Sequence, residues 1–184
     1  ATDGTASADY GCIPITNASA GYNYLTALDM QASVNHTHDF FDCLWVNSGI
    51  VVTTTTAQAI TTPTLPARDV NGTTYGEGCG IALLFVAAAT NAAAISNATV
   101  RYTNSQGVSG RTAKLTTATG SAIPATPVIG TMIWFSLDAG DTGVRSIQSI
   151  TLGTSLVTGT VSLMITRDIC TIGTTIVNVA AAKT

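Results

Sequence analysis

His36-Thr-His-Asp39, with Asp42 close behind, is the densest group of metal-ligating side chains in the chain. On a strand, residues i and i+2 share a face, so His36 and His38 would point the same way and offer half of a zinc coordination sphere. A third ligand would have to come from Asp42 or from a neighbouring subunit. The plainer expectation is a solvated strand edge leading into Phe40-Phe41, and no metal is assigned. A middle case is a pH-sensitive contact between subunits, since imidazole titrates at about pH 6.5.

Other residue types with chemical potential are scattered. Gly140-Asp-Thr-Gly143 contains the D-T-G of aspartic proteases, which need two aspartates sharing one proton across a dimer or two lobes. Its flanks, Asp138 before and Arg145 after, read as the polar turn of a hairpin instead. No G-x-S-x-G elbow exists, and both histidines lie in one short segment, so a Ser-His-Asp triad has a single location. No catalytic residue, no cofactor and no enzymatic activity are expected. Cys12, Cys43, Cys79 and Cys170 are far apart and include no C-x-x-C pair, which argues against a zinc cluster or a thioredoxin-like dithiol. They permit two disulfides in any of three connectivities, each adding roughly 2–4 kcal/mol in an oxidising compartment. Alternatively they are small buried hydrophobes in a reducing one. Asn17, Asn35, Asn71 and Asn97 head N-x-[ST] sequons, which an Asn- and Thr-rich chain generates by chance.

Composition narrows the function further. Of 184 residues, 46% are hydrophobic and only 9% charged, against about 25% charged in an average soluble domain. Seven Lys and Arg against ten Asp and Glu give a net charge of −3, with no basic run, so phosphate neutralisation of nucleic acid is not expected. The most apolar run, Ile81-Ala-Leu-Leu-Phe-Val-Ala-Ala-Ala89, is too short to cross a bilayer, so no membrane partner is expected either. Residues 1–9 lack the basic and apolar regions of a signal peptide. A Thr-rich, charge-poor exterior suits a protein covered by neighbours or living outside a cell.

The elements that would position these residues are short strands. Phe40–Val46 and Gly49–Thr56, separated by Asn47-Ser48-Gly49, predict a hairpin, and Thr61–Gly72, with two prolines and an Asn-Gly, predicts a long surface loop. Ile81–Val86 reads as a buried strand. Thr99–Thr103 and Val108–Leu115 predict a second hairpin around Asn104-Ser-Gln-Gly107, with Arg101 and Arg111 on its two arms. Thr131–Leu137, Val144–Leu152 and Gly159–Ile169 follow, the last alternating Val161, Leu163 and Ile165 against Ser162, Met164 and Thr166. Thr174–Val179 is a further candidate strand. Arg101, Arg111, Arg145 and Arg167 have Asp138, Asp141 and Asp168 as candidate partners, within the subunit or across an interface, the plainer expectation being solvated strand faces. Eight or nine strands with turn signals every 8–12 residues predict an all-β fold, a single jelly-roll-like β-sandwich over 39–184 preceded by an extended N-terminal arm over 1–38.

Leu65-Pro-Ala-Arg-Asp-Val-Asn-Gly72, Thr90-Asn-Ala-Ala-Ala-Ile95, Tyr102-Thr-Asn-Ser-Gln-Gly-Val-Ser-Gly-Arg-Thr112 and Ala139-Gly-Asp-Thr-Gly-Val-Arg-Ser-Ile-Gln-Ser-Ile-Thr-Leu152 resemble segments of small β-rich virion structural proteins of tailed bacteriophages. The resemblance covers about 65–169 and includes none of the cysteines. It implies a non-enzymatic particle component located in the virion. The favoured role is a capsid decoration or cement protein that binds the major capsid protein and itself, as a homotrimer. One rival is a tail, collar or fibre protein touching the host through Tyr22, Tyr24, Tyr75 and Tyr102. The other is an extracellular filament subunit whose N-terminal arm completes a neighbour's sheet.

Overall fold

The computed structural model describes residues 26–30, 33–91, 94–115, 122–174 and 181–183. Cys12, Tyr22, Tyr24, most of the expected arm and all but the first residue of the expected strand at 174–179 lie outside the described residues. The chain divides into two compact units, whose described residues fall within 43–167 in the larger and within 26–42 and 168–183 in the smaller. No helix forms among the described residues, and the fold is all-β as expected.

In the smaller unit, β1 (Leu28–Met30) pairs antiparallel with β10 (Ala181–Lys183). The first half of β2 (His36–Asn47) lies beside the last residues of β9 (Thr160–Thr174), where the Thr174 hydroxyl accepts from the His36 amide and donates to its carbonyl, both at 3.1 Å.

The larger unit is built from two four-stranded sheets. One has the order β2, β9, β4 (Cys79–Ala87), β7 (Met132–Phe135). The other has the order β3 (Gln58–Ala59), β8 (Val144–Thr151), β5 (Thr99–Asn104), β6 (Arg111–Lys114). Counting these eight strands in chain order, one sheet takes the first, eighth, third and sixth, and the other the second, seventh, fourth and fifth. Consecutive strands therefore mostly alternate between sheets.

The core forms between the sheets. Ile81, Leu83 and Phe85 of β4, Val161, Leu163 and Ile165 of β9, and Ile133 and Phe135 of β7 meet Val100 and Tyr102 of β5, Ala113 of β6 and Val144, Ile147 and Ile150 of β8. Period-2 strands supply one inward face each, and every fully buried Leu, Ile or Phe contributes about 1.5–3 kcal/mol. Strand β8 departs from that period. Val100, Tyr102 and Asn104 of β5, two apart, pair with Ile150, Ile147 and Val144 of β8, three apart, because two register shifts place extra residues on β8. Each bulge turns the next side chain back to the inside. On β9 the opposite face is also out of solvent: Ser162, Met164 and Thr166 are buried alongside Val161, Leu163 and Ile165.

Two expected turns are corrected. Gly49–Thr56 is no strand and forms no hairpin with β2. The Gln58 side chain takes its backbone groups instead, accepting from the Val51 amide at 2.8 Å and donating to the Val51 carbonyl at 3.0 Å, and a turn closes from the Thr54 amide to Val51. Asp138–Gly143 is likewise not a hairpin turn, since it links β7 to β8 in the other sheet. The hairpin of β5 with β6 forms as expected, Tyr102 pairing with Arg111 and Thr99 with Lys114.

Candidate functional site

The polar groups of the larger unit gather where β5, β6 and the 136–143 connection meet. Tyr102 and Asn104 project inward from β5, Arg111 opens β6, and Asp141 closes a turn whose amide bonds the Asp138 carbonyl at 3.1 Å. The Asp141 carboxylate accepts from the Tyr102 hydroxyl, from Asn104 Nδ2 at 2.8 Å and from Arg111 Nε at 2.9 Å. Arg111 also donates to the Ala139 carbonyl at 3.1 Å and lies 3.7 Å from the Asp138 carboxylate. The Tyr102 oxygen in turn accepts from the Asp138 amide at 2.9 Å.

The electrostatics follow from those contacts. The Arg111 guanidinium, aided by the Tyr102 and Asn104 donors, holds the Asp141 carboxyl down at about 2. Burial, reinforced by the hydrogen bond to Asp141, pushes the Tyr102 phenol up to about 12. At neutral pH the pair is one fixed carboxylate and one neutral phenol. An aspartic protease needs a carboxyl pair that shares a proton. Asp141 is instead a saturated anchor tying the 136–143 connection to the β5–β6 hairpin.

A second anchor organises the neighbouring loop. Asp69, nearly fully buried, accepts from the amides of Asn71 at 3.0 Å and Thr73 at 2.6 Å on one oxygen. Its other oxygen accepts from the Thr73 hydroxyl at 2.6 Å and the Glu77 amide at 3.1 Å. Burial alone would raise its pKa, but these donors outweigh it and the carboxyl titrates below its usual range. The loop then presses against β8: Val144 donates to the Gly76 carbonyl at 3.0 Å and Gly78 to the Thr142 carbonyl at 2.9 Å. A Cβ on Gly76, whose φ is +73°, would stand 1.9 Å from the Val144 oxygen, so only glycine fits. Hydroxyls of Ser105 and Thr142 lower the Glu77 carboxyl.

The remaining four arginines take separate partners, Arg68 donating to the Cys43 carbonyl at 3.3 Å. Arg145 lies 4.7 Å over the ring of half-exposed Tyr75, Arg167 donates to the Asp69 carbonyl at 3.1 Å, and Arg101 reaches the Gly110 carbonyl at 3.5 Å. Of the arginine–aspartate pairs expected from the sequence, Arg111 with Asp138 and Asp141 is brought together. Tyr102, expected as an aromatic able to touch a host, is wholly buried and engaged with Asp141.

In the smaller unit, His36 and His38 do share a face of β2, their ring centroids 5.9 Å apart with the planes at 76°. An open depression of about 360 Å³ lies beside His36, lined by Asn35, His36, Thr37, Gly173 and Thr174. Asp42 does not complete a ligand set with them. At about 3.3 Å rise per residue it stands roughly 13 Å from His38 along the strand. Asp39 faces away and accepts from the Thr171 hydroxyl at 2.7 Å. Among the described residues no three His, Cys, Asp or Glu side chains converge as a metal site.

Cys43, Cys79 and Cys170 form no disulfide with one another. The thiols of Cys43 and Cys79 point to the carbonyls of Trp45 and Glu77, at 3.6 and 3.9 Å. Among the described residues no helix is long and apolar enough to cross a membrane.

The sequence concealed the Asp141 anchor because its members are 30 to 39 residues apart and each reads as a common strand or turn residue. The Asp69 anchor carried a local signal, Asp-Val-Asn-Gly-Thr, in which Asp bonds the amides two and four residues on. No family model, no curated protein and no solved structure matches the chain.

Proposed function

We propose that this chain is a non-enzymatic structural subunit of a tailed-phage virion, a decoration or cement protein that binds the major capsid protein from outside. The observation that carries this reading is the strand order of the larger unit. Two sheets taking strands one, eight, three, six and two, seven, four, five support a single jelly roll, an architecture that recurs in viral coat domains and also in lectins and cupins. A fold alone does not assign a role. The resemblance of residues 65–169 to small virion proteins selects the coat reading among those, and the scarcity of charge suits a surface spent on contacts with neighbours.

The mechanism is mechanical. The two sheets and the Asp69 and Asp141 anchors make a stiff block, and subunits bury apolar and Thr-rich surface against each other and against the shell. The favoured assembly is a homotrimer, because a closed symmetric form leaves no copy of the contact surface free.

The test is the mass of the purified protein by size-exclusion chromatography with light scattering, without reductant, followed by binding to empty phage heads. A closed trimer that coats heads supports the reading. An open, concentration-dependent polymer that is lost on deleting residues 1–20 sinks it and supports a filament subunit.

A further inference from the structure

The two ends of the larger unit differ in charge. Antiparallel alternation between the sheets puts residues 48–57, 88–91, 94–98, 122–131 and 152–159 at one end, and 60–78, 105–110 and 136–143 at the other. The second set holds Arg68, Asp69, Glu77, Asp138 and Asp141. The first set contains no Asp, Glu, Lys, Arg or His, and exposed Lys114, the last residue of β6, borders it.

Hydrogen bonds knit the described parts of this charge-free end together. Gly153 donates to the Thr55 carbonyl at 3.1 Å and Leu156 to the Val52 carbonyl at 3.0 Å. Thr90 donates to the Thr158 hydroxyl at 3.2 Å and the Thr154 hydroxyl to Asn97 Oδ1 at 3.2 Å. Ala89 donates to the Pro127 carbonyl at 3.0 Å and Asn91 to the Ala125 carbonyl at 2.8 Å. On this end stand Val51, Val128, Ile129 and Val157, exposed by 54, 65, 71 and 59%. Ile129, Val128 and Val157 are the three most exposed large hydrophobic side chains described.

Val157 is also strained. Its φ of +58° makes it the one described non-glycine residue in the left-handed region, where a β-branched side chain is least at home. It sits at the centre of a tight turn in which the Thr158 amide bonds the Leu156 carbonyl at 2.5 Å, while its own amide bonds the Ser155 hydroxyl at 3.1 Å. Glycine would adopt this backbone freely. The chain keeps valine here and holds its side chain out toward solvent, despite the backbone strain.

We propose that this end is the surface through which copies of the chain associate, with Val157 and Ile129 at the centre of the contact. A second copy is the occupant because symmetry sets residues near the axis against their own images. An ionisable group near the axis would face its like, and the described loops of this end carry none, whereas a different charged partner would find little to pair with beyond Lys114 at the end of β6. The proposal rests on reading the chain as an assembling subunit.

Light scattering across a concentration series, on wild type, Val157→Gly, Ile129→Asp and the opposite-end control Val108→Asp, tests it, with urea unfolding as a check of fold. Val157→Gly should raise the urea midpoint by relieving the turn, yet weaken association about tenfold through loss of one buried valine side chain. Ile129→Asp should give monomers, and Val108→Asp should assemble like wild type. Oligomers that persist in both Val157→Gly and Ile129→Asp would overturn the surface and leave the assembling reading standing. A wild type that is monomeric at every concentration would overturn the surface, and head binding by that monomer would still support the virion role.

Discussion

Asp141→Asn should destabilise the protein in a way that depends on pH. The substitution keeps the shape and removes the charge. In the wild type the carboxyl titrates at about 2 against an ordinary 3.8, and each unit is worth about 1.4 kcal/mol, so ionisation stabilises the fold by at most roughly 2.5 kcal/mol at neutral pH. The side chain is only 4% accessible, which limits solvent screening, and the introduced amide hydrogens would face the donors of Arg111, Tyr102 or Asn104. The variant should therefore lie about 2–4 kcal/mol below wild type at pH 7. The sign of the pH effect follows from the depressed folded-state pKa. The stabilisation is complete above about pH 4 and is lost as pH falls toward 2, roughly 1 kcal/mol by pH 3 and 2 kcal/mol by pH 2. Other carboxylates titrate equally in both proteins and cancel in the difference. Urea unfolding of the two at pH 7, 4, 3 and 2 reads that difference directly. A gap that stays constant from pH 7 to pH 2 would refute the claim that charge at Asp141 holds the 136–143 connection to the β5–β6 hairpin.

Three further outcomes are expected. Tyr102, raised from 10.0 to about 12, stabilises the fold fully below pH 10, and up to about 2–3 kcal/mol should disappear between pH 10 and 12; Tyr102→Phe should abolish that alkaline step in the unfolding midpoint. Gly76→Ala should cost about 3 kcal/mol or more, whereas Gly72→Ala, with a φ of +69° but nothing within 4 Å of the new methyl, should cost about 1 kcal/mol, so their difference in urea unfolding measures the collision with Val144. Ile147→Ala should cost about 2–5 kcal/mol and the adjacent Gln148→Ala about 0.5 kcal/mol; equal effects would contradict the bulges that aim Ile147 inward.

What the sequence disclosed followed from how far apart the interacting residues lie. Strands β4 and β9 were legible because burial acts on consecutive residues, leaving a continuous apolar run at Ile81–Val86 and clean alternation at Val161–Ile165. The β5–β6 hairpin was legible because its turn residues lie between its arms. Segment 49–56 misled because Val and Thr favour strands, while the groups that decide its path belong to Gln58 and to Gly153 and Leu156 across the fold. Strand β8 was found, but its inward residues Val144, Ile147 and Ile150 are three apart, a spacing no strand template predicts, and only pairing with β5 explains it.

The same distinction bears on where function resides. Residue types chosen for chemistry, His36, His38, Asp141 and the cysteines, drew attention first, yet Asp141 is saturated by three side chains and Asp42 is too distant to join the histidines. The stronger signal is a pattern of omission spread over the described parts of four connections that are remote in sequence and lie at one end of the sheets. Charge absent from one such loop means little in a chain that is 9% charged, because most short stretches lack it. Its absence from all four, with aliphatic side chains left exposed on that end and one held there against its backbone preference, is a property of a surface and emerges only once the sheet order shows that the four loops share it. A binding end built by leaving charge out resembles no motif, and a search for reactive residues passes over it.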